Sequence, residues 1–402
     1  MPDRQYLRQM QGLPLIVKVR KSQLRIKEWY DHFDGNVCVS FSGGKDSTVL
    51  ANIVRDMYPE VPLVFADTGL EYPEVRQFAK KMGAEIIRPK MRFDEVIRKY
   101  GYPIISKEVA QAIMYARKIY PVGGGITTTN AMNSRDCGIL RGGVHKSSTG
   151  RTQWIAVEGH ANFRRRELAG VVEFTDGTKS IFNKEKWLPL LQETQFLISH
   201  NCCSVMKKAP LHTYQRQTKR FPFIGTLAEE SMLREQKWVQ NGCNAFDLKR
   251  PISTPLAFWT EQDILKYLYV EGYEIASVYG DIVGVDNQGF EYEPLPGVDC
   301  KLKCTGCDRT GCIFCGFGAH REKGETRFQR LAKTHPKQYE YCMGGGQWVD
   351  NPNYDPTAPE YDGEWKNWNP KKIWTPSKKG LGMKKVFDDC NAIYGKDFIR
   401  YD

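Results

Sequence analysis

The sequence predicts an α/β protein built on a doubly wound parallel sheet. Three observations predict it. A short apolar run, Val37–Phe41, leads into a glycine-containing loop; further runs of the same kind follow at Leu63–Ala66 and at residues 85–88; and between them lie segments with apolar residues at helical spacing. Strands covered on both faces read as unbroken apolar runs, and strand–turn–helix alternation belongs to parallel sheets flanked by helices. With 402 residues, 41% of them hydrophobic, the chain has material for one elaborated domain or for two, and it is not disordered as a whole.

Taken in order, residues 1–34 read as a basic arm and helix, with Leu15-Ile16-Val17-Lys18-Val19-Arg20-Lys21 running into Ile26-Lys27-Glu28-Trp29-Tyr30. Residues 35–118 and 191–299 read as one α/β domain. Its strands at 36–41, 63–66 and 85–88 alternate with helical segments after residue 47 and over 74–82. Residues 119–190 break this pattern with Gly123-Gly124-Gly125, a threonine run and Ser147-Ser148-Thr149-Gly150, and read as an insertion. Within it, segments 154–157 and 171–174, the latter beside Thr175-Asp176-Gly177-Thr178, predict a β-hairpin. The α/β pattern returns near 195. Residues 222–226 read as a strand end, and 260–269 as a helix with Thr260 at its N-cap. A cysteine-rich segment covers 300–345. The remainder, 346–402, reads as a wrapping tail with a last helix near 383–394.

No apolar run approaches the roughly 20 residues needed to cross a bilayer, and the chain opens on charged and polar residues without a signal-peptide stretch. The expectation is a cytoplasmic protein with no membrane partner. In a reducing compartment, 12 cysteines point to metal or redox chemistry rather than to a disulfide framework. Lys plus Arg number 58 against 47 Asp plus Glu, a net charge of +11, which favours polyanionic partners. Arg141, Lys146, Arg151 and the run Arg164-Arg165-Arg166 make the insertion the local candidate for nucleic-acid contact; a solvated charged face is the other reading of the same residues. An oligomer is compatible with the sequence.

Ser42-Gly43-Gly44-Lys45-Asp46-Ser47 follows a strand, Ser40 at its end, and opens a helix. Glycines let backbone approach phosphate, the helix N-terminus offers N–H donors, and Lys45 adds a cation. The hexapeptide resembles the pyrophosphate loop (PP-loop) of adenine-nucleotide α-hydrolases, and Asp67-Thr68-Gly69 after the second strand resembles the matching element of phosphoadenosine-phosphosulfate (PAPS) reductases and of the nucleotide-binding subunit of ATP sulfurylase. The resemblance implies ATP and Mg²⁺ as ligands, cleavage between the α- and β-phosphates, and catalytic roles for Lys45, Asp46, Ser47 and Asp67. Residues 225–234 resemble a phosphate-contacting segment of the same superfamily, matching at Gly225, Glu230, Ser231 and Arg234, with Leu227 where the reductases carry Arg. The nucleotide site implied is Ser40, Ser42, Gly43, Gly44, Lys45, Asp46, Ser47, Asp67, Thr68, Gly69, Lys207, Lys208, Gly225, Glu230, Ser231 and Arg234.

Tandem Cys202-Cys203, followed by Lys207-Lys208-Ala209-Pro210-Leu211, and the later Gly311-Cys312-Ile313-Phe314-Cys315 resemble the cluster-binding pattern of adenosine-phosphosulfate (APS) reductases. That resemblance implies a [4Fe–4S] cluster on Cys202, Cys203, Cys312 and Cys315. The spacing leaves a rival open: Cys304, Cys307, Cys312 and Cys315 as a Cys₄ zinc site. Cys38, Cys137, Cys243 and Cys390 read as core residues.

The sulfonucleotide reductases that the chain resembles carry a C-terminal nucleophilic Cys in Glu-Cys-Gly-(Ile/Leu)-His, and no such sequence occurs here; the late cysteines are Cys342 and Cys390. With the complete Ser-Gly-Gly-Lys-Asp-Ser loop, this favours an ATP pyrophosphatase that adenylates an acceptor for sulfur transfer. DNA phosphorothioation proteins and tRNA thiolases act in this way, and the chain looks most like stand-alone phage or mobile-element members of the superfamily. The resemblance implies a sulfur donor such as a cysteine desulfurase. Two alternatives stand beside this reading: an APS/PAPS reductase, and a nucleotide-binding accessory protein of a defence or mobile-element complex.

Overall fold

The computed structural model describes residues 3–117, 143–146, 152–155, 164, 167–172, 177–295, 300–357 and 368–402. The chain divides into two compact units, one made of Met1–Lys90 with Val205–Cys312, the other of Met91–Ser204 with Ile313–Asp402.

The first unit holds a six-stranded sheet. Its order is Glu85–Ile87, Leu63–Ala66, Val37–Phe41, Phe221–Ile224, Ile252–Ser253 and Asn244–Ala245. All neighbours run parallel except the last pair. Val37–Phe41 lies in the middle: the chain first builds outward on one side, then returns to build on the other. That reversal is the switch point at which open α/β sheets bind ligands, beyond the carboxyl ends of the strands. The apolar runs are central because both faces are covered; Val37, Val39, Leu63, Val64 and Phe223 are buried. Expected strand positions agree with the observed ones to within one or two residues, and the expected helix at 74–82 is Pro73–Lys81.

Helices Arg4–Gln11 and Leu15–His32 form the N-terminal arm. Ser22 and Trp259 fasten the longer helix: the Trp259 indole N–H donates to Ser22 Oγ (2.9 Å), and Ser22 donates to the Pro255 carbonyl (2.9 Å). Lys18, 2% exposed, donates to Asp263 (2.5 Å) and to the Gln11 carbonyl (2.6 Å). Asp263 in turn closes a capping box with Thr260 at the start of helix Glu261–Glu271, as the Ser/Thr/Asp preference for that position requires.

In the second unit, Ile104–Ile105 pairs in parallel with Gly316–Phe317, and Gln347–Asp350 pairs antiparallel with Lys372–Thr375. Arg117 is buried and satisfied by the carbonyls of Leu190, Leu191 and Phe196 and by the Thr194 hydroxyl. The last helix, Met383–Tyr394, coincides with the expected one and buries Val386, Phe387 and Cys390. In the insertion Thr152–Ile155 pairs antiparallel with Gly143–Lys146; residues 156–157 and 173–174 of the expected hairpin lie outside the described residues. Arg141, Arg151, Arg165, Arg166, Cys137 and residues 173–176 lie outside the described residues, as does the side chain of Lys146; Arg164 pairs with Glu167 (2.6 Å). Among the described residues no helix is long and apolar enough to cross a membrane.

Candidate nucleotide site

A cavity of about 640 Å³ opens in the first unit where the strands Val37–Phe41 and Phe221–Ile224 end. Its wall begins with Ser40, Ser42, Gly44, Lys45, Asp46 and Ser47. The loop is shaped by its own chemistry. Gly43 has φ +70°, and a Cβ there would stand 2.7 Å from the Val75 side chain, so glycine is required by both conformation and space. Ser42 and Ser47 staple the turn: their hydroxyls are 2.9 Å apart, Ser47 Oγ accepts from the Ser42 N–H (3.2 Å), and Ser42 Oγ accepts from the Gly44 N–H (3.3 Å). Helix Lys45–Met57 then starts at the cavity with no side-chain cap on its first turn, leaving its N–H groups and dipole directed at whatever fills the space.

The opposite strand end comes as close as backbone permits. A Cβ on Gly225 would lie 2.9 Å from the Asp46 carbonyl oxygen. Lys45 is buried to 7% exposure; its ammonium meets Glu261 at 3.0 Å and lies 5.5 Å from the centre of the Tyr279 ring. Burial pushes the Asp46 carboxyl above its ordinary range, against the pull of Lys45, Arg309 and Arg234. Glu229 is also pushed up by burial, although it accepts from the Glu261 N–H (2.6 Å). Glu230 accepts from the Leu227 N–H (3.2 Å) and binds both Arg234 and Arg309. The wall thus presents four cations, Lys45, Lys207, Arg234 and Arg309, and five carboxylates, Asp46, Glu229, Glu230, Glu261 and Asp308.

Several residues expected at the nucleotide stand elsewhere. Gly43 lies in the loop against Val75, Ser231 caps helix Met232–Asn241 by accepting from the Arg234 N–H (3.3 Å), and Lys208 is exposed. Asp67, Thr68 and Gly69 do not line the cavity. The Asp67 carboxylate is held by Arg76 (2.8 Å) and Arg88 (3.5 Å). Thr68 is closed onto Glu71, whose carboxylate lies 3.7 Å from Lys207 in the cavity wall. Conversely, Thr226, Glu229, Glu261, Tyr279, Asp308, Arg309, Thr310 and Gly311 line the cavity. The cap residue Thr260 signalled where Glu261 would fall, but no local pattern links residue 261 or 279 to residue 45.

The cysteines divide between the units. Cys202, Cys203 and Cys315 belong to the second; Cys304, Cys307 and Cys312 belong to the first. Neither expected foursome therefore lies within one unit. The Cys202 and Cys203 sulfurs are 3.9 Å apart. Burial raises the Cys315 thiol above its ordinary value and neighbouring Cys203 adds to this, opposed by the Phe317 N–H and Arg327. In the other set, the Cys307 thiol donates to the Arg309 carbonyl (2.8 Å), and Cys304 is raised chiefly by burial. Among the described residues no three His, Cys, Asp or Glu side chains are gathered as a metal site. Sulfur donors adjacent on one turn, with a third close enough to be felt electrostatically, are the donor type an iron–sulfur cluster takes. Cys38 and Cys390 are core residues as expected, whereas Cys243 lines a second cavity with Tyr6 and Trp238.

The chain is 27% identical over 124 residues to adenosine 5'-phosphosulfate reductase of Staphylococcus haemolyticus, covering 28% of this chain and 51% of that one. It is 27% identical over 110 residues to the same-named enzyme of Bacillus velezensis, covering 25% and 47%. An uncharacterised protein of Methanocaldococcus jannaschii is 38% identical over 84 residues, 19% of this chain and 18% of its own. The match thus spans about half the length of the curated reductases. The model of the phosphoadenosine phosphosulfate reductase domain matches residues 36–131 and 168–316, more than half of the sequence, and takes in the loop, both flanking strands and the cysteines at 202, 203, 312 and 315. The chain belongs to the phosphoadenosine phosphosulfate reductase domain family.

Proposed function

We propose that the protein is an ATP pyrophosphatase that adenylates an acceptor, a nucleic acid or nucleotide, in preparation for sulfur transfer. The observation that carries this reading is the intact Ser42–Ser47 loop opening an uncapped helix beside a buried Lys45. A triphosphate there meets backbone N–H donors, hydroxyls and the Lys45 ammonium. An acceptor oxygen attacks the α-phosphorus; the O–Pα bond forms, the bond from Pα to the bridging oxygen breaks, and pyrophosphate leaves with that electron pair. Lys45 and the helix N-terminus stabilise the charge that accumulates on the leaving group. A sulfur nucleophile then displaces AMP from the activated carbon.

The five wall carboxylates bear on the ligand. A bare triphosphate would face them at a loss, whereas a Mg²⁺-bound one brings less charge. Asp46 and Glu229 supply oxygen donors of the type Mg²⁺ takes. Cys202, Cys203, Cys312 and Cys315 would hold a [4Fe–4S] cluster, which when bound supplies a redox-active, sulfur-rich centre. Cys304, Cys307, Cys312 and Cys315 are the rival zinc set, whose Cys307 thiol would give up its proton, now donated to the Arg309 carbonyl, on binding metal.

A second reading, sulfonucleotide reduction to sulfite, is favoured by the names of the relatives. It needs a mobile thiol, and Cys342 and Cys390 are both 0% exposed. Release of AMP and pyrophosphate from ATP, stimulated by DNA or RNA and absent in Lys45→Ala, tests the first reading on anaerobically purified protein. Thioredoxin-dependent sulfite release from APS or PAPS would overturn it. Tight ATP binding without turnover would instead make the chain an accessory nucleotide-binding protein.

A further inference from the structure

One carboxylate in the cavity wall carries two guanidinium groups that come from different parts of the chain. Glu230, its side chain 15% exposed, binds Arg234 through Oε2 and Arg309 through Oε1. Arg234 lies in the first turn of helix Met232–Asn241 and lines the same cavity as Gly225. Arg309 comes from the loop 308–311, which lines the same cavity. The two arginines differ in exposure: the Arg309 side chain is 68% exposed, against 42% for Arg234. Two guanidinium groups share one carboxylate here, within a wall whose carboxylates outnumber its cations overall, and both act on the Asp46 carboxyl against the larger effect of burial.

The 308–311 loop is also tied to the mouth of the helix. Thr310 Oγ1 is 2.6 Å from the Tyr279 hydroxyl, and that hydroxyl stands 3.4 Å from where a Cβ on Gly44 would be. Arg309 therefore hangs from a segment already fixed beside the first turn of Lys45–Met57.

Resting on the reading of this cavity as an ATP site, we propose that Arg309 is a ligand of the polyphosphate tail, exchanging Glu230 for phosphate oxygens when the nucleotide enters. The exchange strands no charge. Glu230 keeps Arg234 and the Leu227 N–H when Arg309 leaves, so no unpaired buried carboxylate remains. Arg309 gains a partner that its planar fork matches with two parallel hydrogen bonds, a geometry a lysine cannot reproduce. Its exposure lets it swing without unpacking any neighbour.

The test is calorimetric titration of the anaerobic full-length protein with α,β-methylene-ATP and with AMP, in wild type, Arg309→Ala, Arg309→Lys and Lys45→Ala. Loss of a charged hydrogen-bonding group from a phosphate site costs about tenfold or more in affinity. Arg309→Ala should weaken the triphosphate analogue by about that factor and leave AMP unchanged, with Arg309→Lys only partly restoring binding. Wild-type analogue affinity in Arg309→Ala, with Lys45→Ala defective, would overturn the inference and spare the site. Equal loss of AMP and analogue would also overturn it, since the residue would then shape the cavity rather than hold phosphate. Unchanged analogue affinity in both Arg309→Ala and Lys45→Ala would remove the ATP site itself.

Discussion

The Lys45 ammonium ends 3.0 Å from the Glu261 carboxylate, a pair made between the first turn of the helix after the phosphate loop and the first turn of a helix 216 residues further on. The cation that should greet a phosphate is thus held by an internal anion. Glu261 is half exposed, so the pair is worth roughly 1 kcal/mol. Glu261→Gln should tighten binding of a triphosphate analogue about fivefold at low salt, with the gain fading as ionic strength rises. A salt-independent gain, or none, would mean that Glu261 does not compete with the ligand.

Gly225 and Gly43 make separate demands. A Cβ on Gly225 meets the Asp46 backbone at 2.9 Å, which cannot turn aside, whereas one on Gly43 meets a valine side chain but at φ +70°. Gly43→Ala should cost roughly 1–2 kcal/mol of stability. Gly225→Ala should lower nucleotide affinity by pushing the strand end away from the loop. Denaturant titration and nucleotide binding, measured on both variants, separate the two effects.

Asp67 gives a pH signature. Burial alone would raise its carboxyl, but the hydrogen bond and charge of Arg76, with the Gly69 N–H and Arg88, prevail and hold it below its ordinary value. A depressed folded-state value adds stability that is present above the unfolded value, about 3.9 for aspartate, and is lost as pH falls through the folded one. The urea midpoint should therefore fall as pH drops below about 4. It should fall less steeply in Asp67→Asn; parallel curves would show that the arginines add nothing there.

The two cysteine sets make opposite predictions for metal content. Cys203→Ser should remove iron from anaerobically purified protein, while Cys307→Ser should retain it. Iron analysis and the visible absorption of both variants decide between them; zinc lost with Cys307→Ser would favour the local set.

Lys18, 2% exposed, should be a costly charge to remove. Truncating one member of a buried ion pair leaves the other uncompensated, and Lys18→Met should destabilise by about 3 kcal/mol. Denaturant unfolding checks this, and Lys18→Met with Asp263→Asn should recover part of the loss.

The parts of the fold legible in the sequence were those that local patterns encode. Val37–Phe41 could be read because a strand covered on both faces is apolar without interruption, and helix Glu261–Glu271 because Thr260 is an N-cap residue at its start. The phosphate loop was legible because Gly43 is required by conformation and Lys45 by charge. The far wall was not. Tyr279 and Glu261 carry no signal of their own, since their proximity to Lys45 exists only after the sheet has assembled. Asp67 illustrates the reverse: a motif residue at a strand end, it spends its carboxylate on Arg76 and Arg88 and stands back from the cavity. The partner of Thr152–Ile155 was illegible for the same reason, strand pairing being a tertiary outcome.

The Lys18–Asp263 pair spans 245 positions of chain, and this has a consequence for the order of folding. Closing so long a loop costs chain entropy before the contact can offset it, so the pair belongs among the late, non-local events. The arm's hold on the first turn of helix Glu261–Glu271 is therefore set only after the strands between them in sequence have assembled.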